Sequence, residues 1–258
     1  MHPILIRLGP LTIHTYGFLV AMGFLLGLGL AVRQAKKAGI PSNKIIDLGF
    51  YILLAAIIGS RLFFIFINAT HYMKNPLDIF KIWEGGLVFY GGVLLAVPTA
   101  IWYVKKNGLA IWKTADIFAP SIAIGHALGR LGCFAAGCCY GKPAESLPWS
   151  VTFTDPESLA LAKIGIPLHP TQLYESAGEF INFLILITLR RYSLFNGQLF
   201  MTYLLLYSVL RFIVEFFRGD VSRGFILYNL SISQGISILT IFIATAGLII
   251  LRQRKGKV

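Results

Sequence analysis

The feature that most limits what this chain can become is a series of seven apolar stretches, each about twenty residues long. A helix rises 1.5 Å per residue, so about 20 apolar residues cross a hydrocarbon core of about 30 Å. The stretches fall at 14–32, 46–67, 85–104, 114–135, 172–189, 198–217 and 231–251 of the 258 residues. The expected fold is all-α, a polytopic integral membrane protein forming a single transmembrane domain over 1–258. The fourth stretch is rich in Gly and Ala, and the fifth begins with the polar residues Gln172, Glu175 and Glu179. The longest polar connection, about 142–171, is punctuated by Pro143, Pro148, Pro156, Pro167 and Pro170 and reads as loop. The first stretch lacks the basic leader and small-residue cleavage site of a signal peptide, and further spans follow it.

Composition removes the other classes. Charged residues make up 13% of the chain, against about 25% in a soluble domain. The apolar content excludes disorder, and three cysteines in a chain this long do not make a disulfide scaffold. The net charge of +12 raises the question of nucleic acid. Topology answers it. Thirteen basic residues fall on one side of the membrane: Arg33, Lys36, Lys37 and Lys44, then Lys105, Lys106 and Lys113, then Arg190 and Arg191, then Arg252, Arg254, Lys255 and Lys257. The other side holds seven: Arg7, Lys74, Lys81, Lys142, Lys163, Arg218 and Arg223. The positive-inside rule then puts the C-terminus in the cytoplasm and the N-terminus outside. No nucleic-acid partner is expected.

Three arginines are left over, and each lies within a span: Arg61, Arg130 and Arg211. An arginine at mid-bilayer costs about 2.5–3.5 kcal/mol on insertion scales, so it faces a polar interior and marks a site. Each lies roughly 14–16 residues past the cytoplasmic end of its span, about 21–24 Å along the helix. They are expected to share a layer in the outer half of the bilayer. Guanidinium groups bind phosphate through a planar fork of donors, so an anionic phospholipid headgroup fits such a layer. Glu215 follows Arg211 by four residues, shares its helix face and is its natural partner. Asp47 and Asp116, near cytoplasmic ends, read as ordinary interface residues.

The densest motif is Gly129-Arg130-Leu131-Gly132-Cys133-Phe134-Ala135-Ala136-Gly137-Cys138-Cys139-Tyr140-Gly141. Helix packing accounts for Gly125 and Gly129, but not for an arginine among them. The cysteines have C-x4-C-C spacing with no second pair and no evident fourth ligand, and no metal is expected there. The stretch before Lys142 is not a P-loop, because Ala136 and Pro143 stand at its key positions. Three further polar clusters fall on the outer side: Glu84-Gly85-Gly86 through Tyr90-Gly91-Gly92, His14-Thr15-Tyr16-Gly17, and His169-Pro170-Thr171-Gln172-Leu173-Tyr174-Glu175. Gln172, Tyr207 and Arg218 join Arg61, Tyr16, Gly129, Gly132 and Arg130 as candidate substrate-binding residues. Arg218 and Arg223 sit just outside the sixth span, where they can guide an acidic lipid or rest at the interface.

On these residues the chain resembles the bacterial prolipoprotein diacylglyceryl transferases almost end to end. The resemblance runs through His14-x-Tyr16-Gly17, Gly59-Ser60-Arg61-Leu62, the glycines about Tyr90, Gly129-Arg130-x-Gly132 and His169-Pro170-x-Gln172-Leu173-Tyr174-Glu175. It continues through Arg211-Phe212-x-x-Glu215-x-x-Arg218 and Ser231-x-x-Gln234. It departs where members often carry His in place of Tyr90, and where some carry Asn for Cys133 and Glu for Cys138. No role is carried over at those positions. The resemblance implies transfer of the diacylglyceryl group of phosphatidylglycerol to the lipobox cysteine of a prolipoprotein, at the outer leaflet of the bacterial inner membrane. Glycerol phosphate leaves, a thioether forms and no cofactor is required. Arg130 and Arg211 would stabilise charge on the departing phosphate, with Glu215 holding Arg211. Candidates for lowering the thiol pKa are the arginine field, then Tyr90 or His14. The competing readings are an anion transporter or channel, and a related lipid-modifying transferase with another acceptor. A transporter is disfavoured by the lack of an inverted repeat, and a serine hydrolase by the lack of G-x-S-x-G.

Overall fold

A computed structural model describes residues 2–9, 11–81, 85–160, 163–219, 225–227 and 230–255. Glu84, Arg223 and Lys257, named above, lie outside the described residues. The chain opens with a hairpin of β1 (Ile4–Leu8) and β2 (Leu11–His14), followed by α1 (Thr15–Lys37) and α2 (Ser42–Ile67). The short α3 (Ala69–Lys74) leads by a single 3-10 turn, Pro76–Phe80, toward α4 (Phe89–Lys106) and α5 (Ile111–Ala136). The two-residue strands β3 (Val151–Thr152) and β4 (Pro167–Leu168) pair within the polar connection. Then come α6 (Thr171–Leu189), α7 (Gln198–Glu215), the small β5 (Phe225–Leu227) and β6 (Leu230–Ser231) pair, and α8 (Ile232–Lys255).

The seven expected spans correspond to α1, α2, α4, α5, α6, α7 and α8. Among the described residues, α1, α2, α5, α7 and α8 are long and apolar enough to cross a membrane. α4 and α6 are less apolar for visible reasons. α4 ends in Lys105 and Lys106, and α6 carries Gln172, Glu175, Glu179 and Asn182, all buried. The protein is an all-α integral membrane protein with its apolar side chains outward. Leu25, Leu62, Phe66, Leu94, Leu239 and Phe242 are exposed, whereas Thr171, Gln172, Glu175 and Glu179 are buried. A soluble fold has the reverse arrangement. The small strands qualify the all-α expectation without changing the class.

The chain divides into two compact units, Ala31–Thr114 and Met1–Leu30 with Ala115–Val258. In the first unit, α2 packs on α4 through glycine. A Cβ on Gly59 would lie 2.4 Å from the Gly91 carbonyl oxygen, and one on Gly92 would lie 2.6 Å from Ser60 Oγ. Only residues without a side chain allow helix backbones this close.

In the second unit the start of α1 packs on α5 at Gly23, where a Cβ would lie 2.9 Å from the Gly125 carbonyl oxygen. The end of α6 and the start of α7 share a core with α5, formed by Ala119, Ala123, Leu186, Leu199 and Tyr203. Asp116 of α5 is not the ordinary interface residue expected from its position. It is 8% exposed and accepts the backbone N–H groups of Gly197 at 2.6 Å and Phe200 at 2.9 Å. Its carboxylate thus satisfies donors that the first turn of α7 cannot satisfy itself. The connection 142–171 is more than a polar loop. Phe153, Ala160 and Leu168 form a small core there, with Tyr140 and Ile166 against it.

Candidate active site

The site lies in the unit built from α5, α6, α7 and α8. The start of α6 is tied to the end of α5 by three side chains. Thr171 Oγ1 donates to the Cys139 carbonyl at 2.8 Å, Gln172 Nε2 to the Cys138 carbonyl at 2.6 Å, and Ser176 Oγ to the Ala127 carbonyl at 2.9 Å. These bonds set the rotation of α6 and turn Glu175 inward, where its side chain is 3% exposed.

Glu175 is the hub of three arginines. Arg130 Nε contacts Glu175 Oε2. Arg211 Nη1 donates to Oε1 at 3.0 Å, and Arg218 Nη1 lies 3.5 Å from the same oxygen. Arg211 Nη2 is 2.6 Å from Glu215 Oε2 and also donates to Ser233 Oγ at 3.1 Å. The i,i+4 pair of Arg211 and Glu215 is present as expected, and Arg211 is shared between Glu215 and Glu175. Before Glu179 is counted, the three guanidinium groups exceed the two carboxylates by one positive charge.

Arg218 reaches this cluster because the chain after α7 folds back on the end of α5. Lys142 N donates to the Phe217 carbonyl at 2.9 Å, Gly219 N to the Tyr140 carbonyl at 3.3 Å, and Gly141 N to the His169 carbonyl at 3.0 Å. A Cβ on Gly141 would lie 2.6 Å from the His169 carbonyl oxygen and 2.7 Å from that of Phe217. The crossing therefore requires glycine. Arg218 is 6% exposed and belongs to the buried cluster rather than to the interface.

His126, one turn before Arg130, was not among the expected residues. Its Nε2 accepts from Arg130 Nε at 3.2 Å, and its Nδ1 lies 3.8 Å from Glu179 Oε2. Glu179 is fully buried and accepts from Asn182 Nδ2 at 3.1 Å. The Tyr207 ring lies 5.3 Å from the His126 ring and stacks on Tyr203. The i,i+4 spacing of His126 and Arg130 was the sequence signal that could have revealed this contact.

Both contacts of Arg130 are made by Nε, and its two terminal amino groups bond to no described residue. A Cβ on Gly129 would meet nothing within 4 Å, so this glycine is not the helix-packing residue it was read as. Gly132 does pack closely, with a Cβ there falling 3.2 Å from the Tyr16 ring. His14 is exposed at the end of β2, its backbone paired with Ile4. Gln172 is 1% exposed and its Nε2 donates to the Cys138 carbonyl, which makes it an anchor of the site.

Arg61 and Tyr90 belong to the other unit. Tyr90 is 53% exposed at the start of α4. Arg61 is buried and all five of its N–H groups go to backbone carbonyls. Nε donates to Ile79 at 3.1 Å, Nη1 to Gly85 at 2.8 Å and Gly86 at 3.5 Å, and Nη2 to Asp78 at 2.5 Å and Lys81 at 3.2 Å. Its guanidinium also lies over the Phe64 and Tyr72 rings. A guanidinium has five donors, so this arrangement leaves none for a phosphate. The expected substrate role of Arg61 is replaced by a structural one, holding the segment between α3 and α4. In that segment the Lys81 ammonium, 2.7 Å from Asp78 Oδ1, keeps the Asp78 carboxyl below the usual carboxylate range.

Residues 3–250 match the family described as prolipoprotein diacylglyceryl transferase. A protein of Bacillus velezensis named phosphatidylglycerol–prolipoprotein diacylglyceryl transferase is 38% identical over 257 residues, covering 99% of this chain and 94% of the relative. A protein of the same name from Bacillus licheniformis is 38% identical, covering 100% and 94%. One from Bacillus cereus is 37% identical, covering 98% and 92%.

Proposed function

Because the chain belongs to the prolipoprotein diacylglyceryl transferase family, we propose that its arginine cluster transfers diacylglycerol from phosphatidylglycerol to the lipobox cysteine of a prolipoprotein. The observation that carries the assignment of the site is the buried convergence of Arg130, Arg211 and Arg218 on Glu175, with the terminal amino groups of Arg130 uncommitted. A phosphodiester carries one negative charge, for which the terminal amino groups of Arg130 are the donors at hand.

The acceptor thiol loses its proton and its sulfur attacks the glycerol C3 of the lipid. The C3–O bond breaks, a thioether forms and glycerol phosphate departs. Charge grows on the leaving phosphate oxygen. Arg130 presents its terminal amino groups to that phosphate, because its Nε–H is given to His126 and its Nε side faces Glu175. Arg211, fixed by Glu175, Glu215 and Ser233, and Arg218 add field from behind. The same field favours the thiolate form of the acceptor. His14, in the same unit as the cluster, is the side chain assigned to take its proton. His126 is assigned to positioning, since its Nε2 lone pair is occupied by Arg130.

The distribution of basic residues supports a cytoplasmic C-terminus and a site toward the outer leaflet of the bacterial cytoplasmic membrane, where secreted prolipoproteins emerge. Transfer is tested with purified protein in detergent, phosphatidylglycerol and a lipobox peptide. Arg130→Ala lowers kcat/KM by about 100–1000-fold, the range for removing one charge-stabilising donor. Arg130→Lys is also impaired, because an ammonium lacks the fork. Wild-type turnover in Arg130→Ala removes the phosphate role.

A further inference from the structure

The three cysteines, which the proposed transfer does not use, meet at one point. The sulfurs of Cys133, Cys138 and Cys139 all lie within 4.8 Å of one another, each half-buried. Linear spacing does not produce this, whereas the end of α5 does. Gly137 N donates to the Phe134 carbonyl at 3.2 Å and Cys138 N to the Cys133 carbonyl at 3.1 Å, with Gly137 at φ +75°. This pair of bonds closes a helix through a left-handed residue, and it stacks the side chain three positions before the cap onto the side chain two positions after it. Those side chains are Cys133 and Cys138.

Cys139 then takes φ +61°, the only positive φ at a non-glycine among the described residues. For an L-residue the left-handed region costs about 1–2 kcal/mol. Strain of this kind is kept where surrounding structure enforces it and commonly where function needs it. Here the enforcing bonds are those from Thr171 and Gln172, which hold the Cys139 and Cys138 carbonyls. The cradle is thus fixed by the fold and does not depend on the thiols themselves.

We propose that Cys133, Cys138 and Cys139 form a three-thiolate site for a thiophilic d10 cation of the zinc(II) or copper(I) class. Three sulfurs at about 2.3 Å from one ion lie about 4 Å apart, so the observed cluster closes on an ion with only small side-chain movements. Thiolate ligands select this class of metal over magnesium or calcium. Among the described residues no His, Asp or Glu joins the group. Three thiolates with a divalent ion carry one net negative charge, and Arg130 and Arg218 lie within electrostatic reach of Cys139 to balance it. Each thiol gives up its proton on coordination, so binding releases up to three protons and tightens as pH rises.

The test uses the full-length protein in detergent, reduced and stripped of metal. Zn2+ is titrated against a chromophoric chelator of micromolar affinity, and Cu+ anaerobically against a copper(I) chelator. One equivalent of one ion is expected to be withdrawn from its chelator, and the competing arms identify which. Cys133→Ser, Cys138→Ser and Cys139→Ser should each weaken binding by at least the roughly 10–100-fold seen when ligand-supporting groups are lost. Failure of the wild type to take up either ion overturns the proposal, as does unchanged uptake in the triple variant. If the variants do not fold, alkylation of the wild type decides. Bound ion should protect all three cysteines, and equal alkylation with and without ion overturns the site.

Discussion

Replacing Glu175 with Gln tests the hub of the cluster with almost no change in shape. Three guanidinium groups surround this carboxylate, and its side chain is 3% exposed. Unit charges about 4 Å apart attract by about 4 kcal/mol at an effective dielectric near 20. The desolvation of the four groups offsets much of this gain. Removing one partner of a buried ion pair nevertheless costs about 3–5 kcal/mol, because the remaining charge stays buried without its counterion. In Glu175→Gln, Glu215 is the carboxylate that still pairs with these arginines, and the cluster becomes more positive by one charge. At about 2–4 °C per kcal/mol for a chain of this size, the melting temperature should fall by roughly 6–20 °C. Scanning fluorimetry in detergent measures this. Added phosphatidylglycerol should recover part of the loss, because its phosphate supplies the missing negative charge. A melting temperature within about 1 °C of wild type would refute the hub. So would a loss that phosphatidylglycerol and a neutral lipid repair equally.

Further outcomes follow from single contacts. Asp116→Ala strips the cap from α7 and should cost about 0.5–2 kcal/mol of stability, with transfer activity per folded molecule unchanged; a melt and an activity assay on the same sample separate the two. Gly132→Val drives two methyl groups into Tyr16, already within 3.2 Å of a Cβ, at about 1–3 kcal/mol, and limited proteolysis should detect displacement of the start of α1. Arg61→Lys leaves at most three donors for five carbonyls, so hydrogen exchange in residues 76–81 should accelerate while phosphatidylglycerol binding changes little. Strongly weakened lipid binding with unchanged exchange would return Arg61 to the substrate.

The spans were legible because hydropathy is a long-range average that single residues do not disturb. Arg130 and Arg211 were legible because a charge in hydrocarbon is too costly to occur without purpose. Glu175 was visible as part of a polar motif but not as the hub, since its partners come from three other segments and only folding brings them together. Arg61 was misread for a related reason. Its ligands are backbone carbonyls, which leave no mark in a sequence. The cysteines gave a spacing that matched no familiar metal motif, and their meeting depends on the left-handed turns at Gly137 and Cys139. The hairpin of β1 and β2 escaped because its alternation is short and adjoins the apolar run of α1.

The central claim is that this chain joins a diacylglyceryl group to a cysteine thiol. Its most direct test is the mass of a lipobox peptide after incubation with the purified protein and phosphatidylglycerol. An adduct of one diacylglyceryl unit on the cysteine is expected, with glycerol phosphate released in equal amount. An unmodified peptide, together with protein-dependent anion flux into proteoliposomes and no lipid consumed, would contradict it.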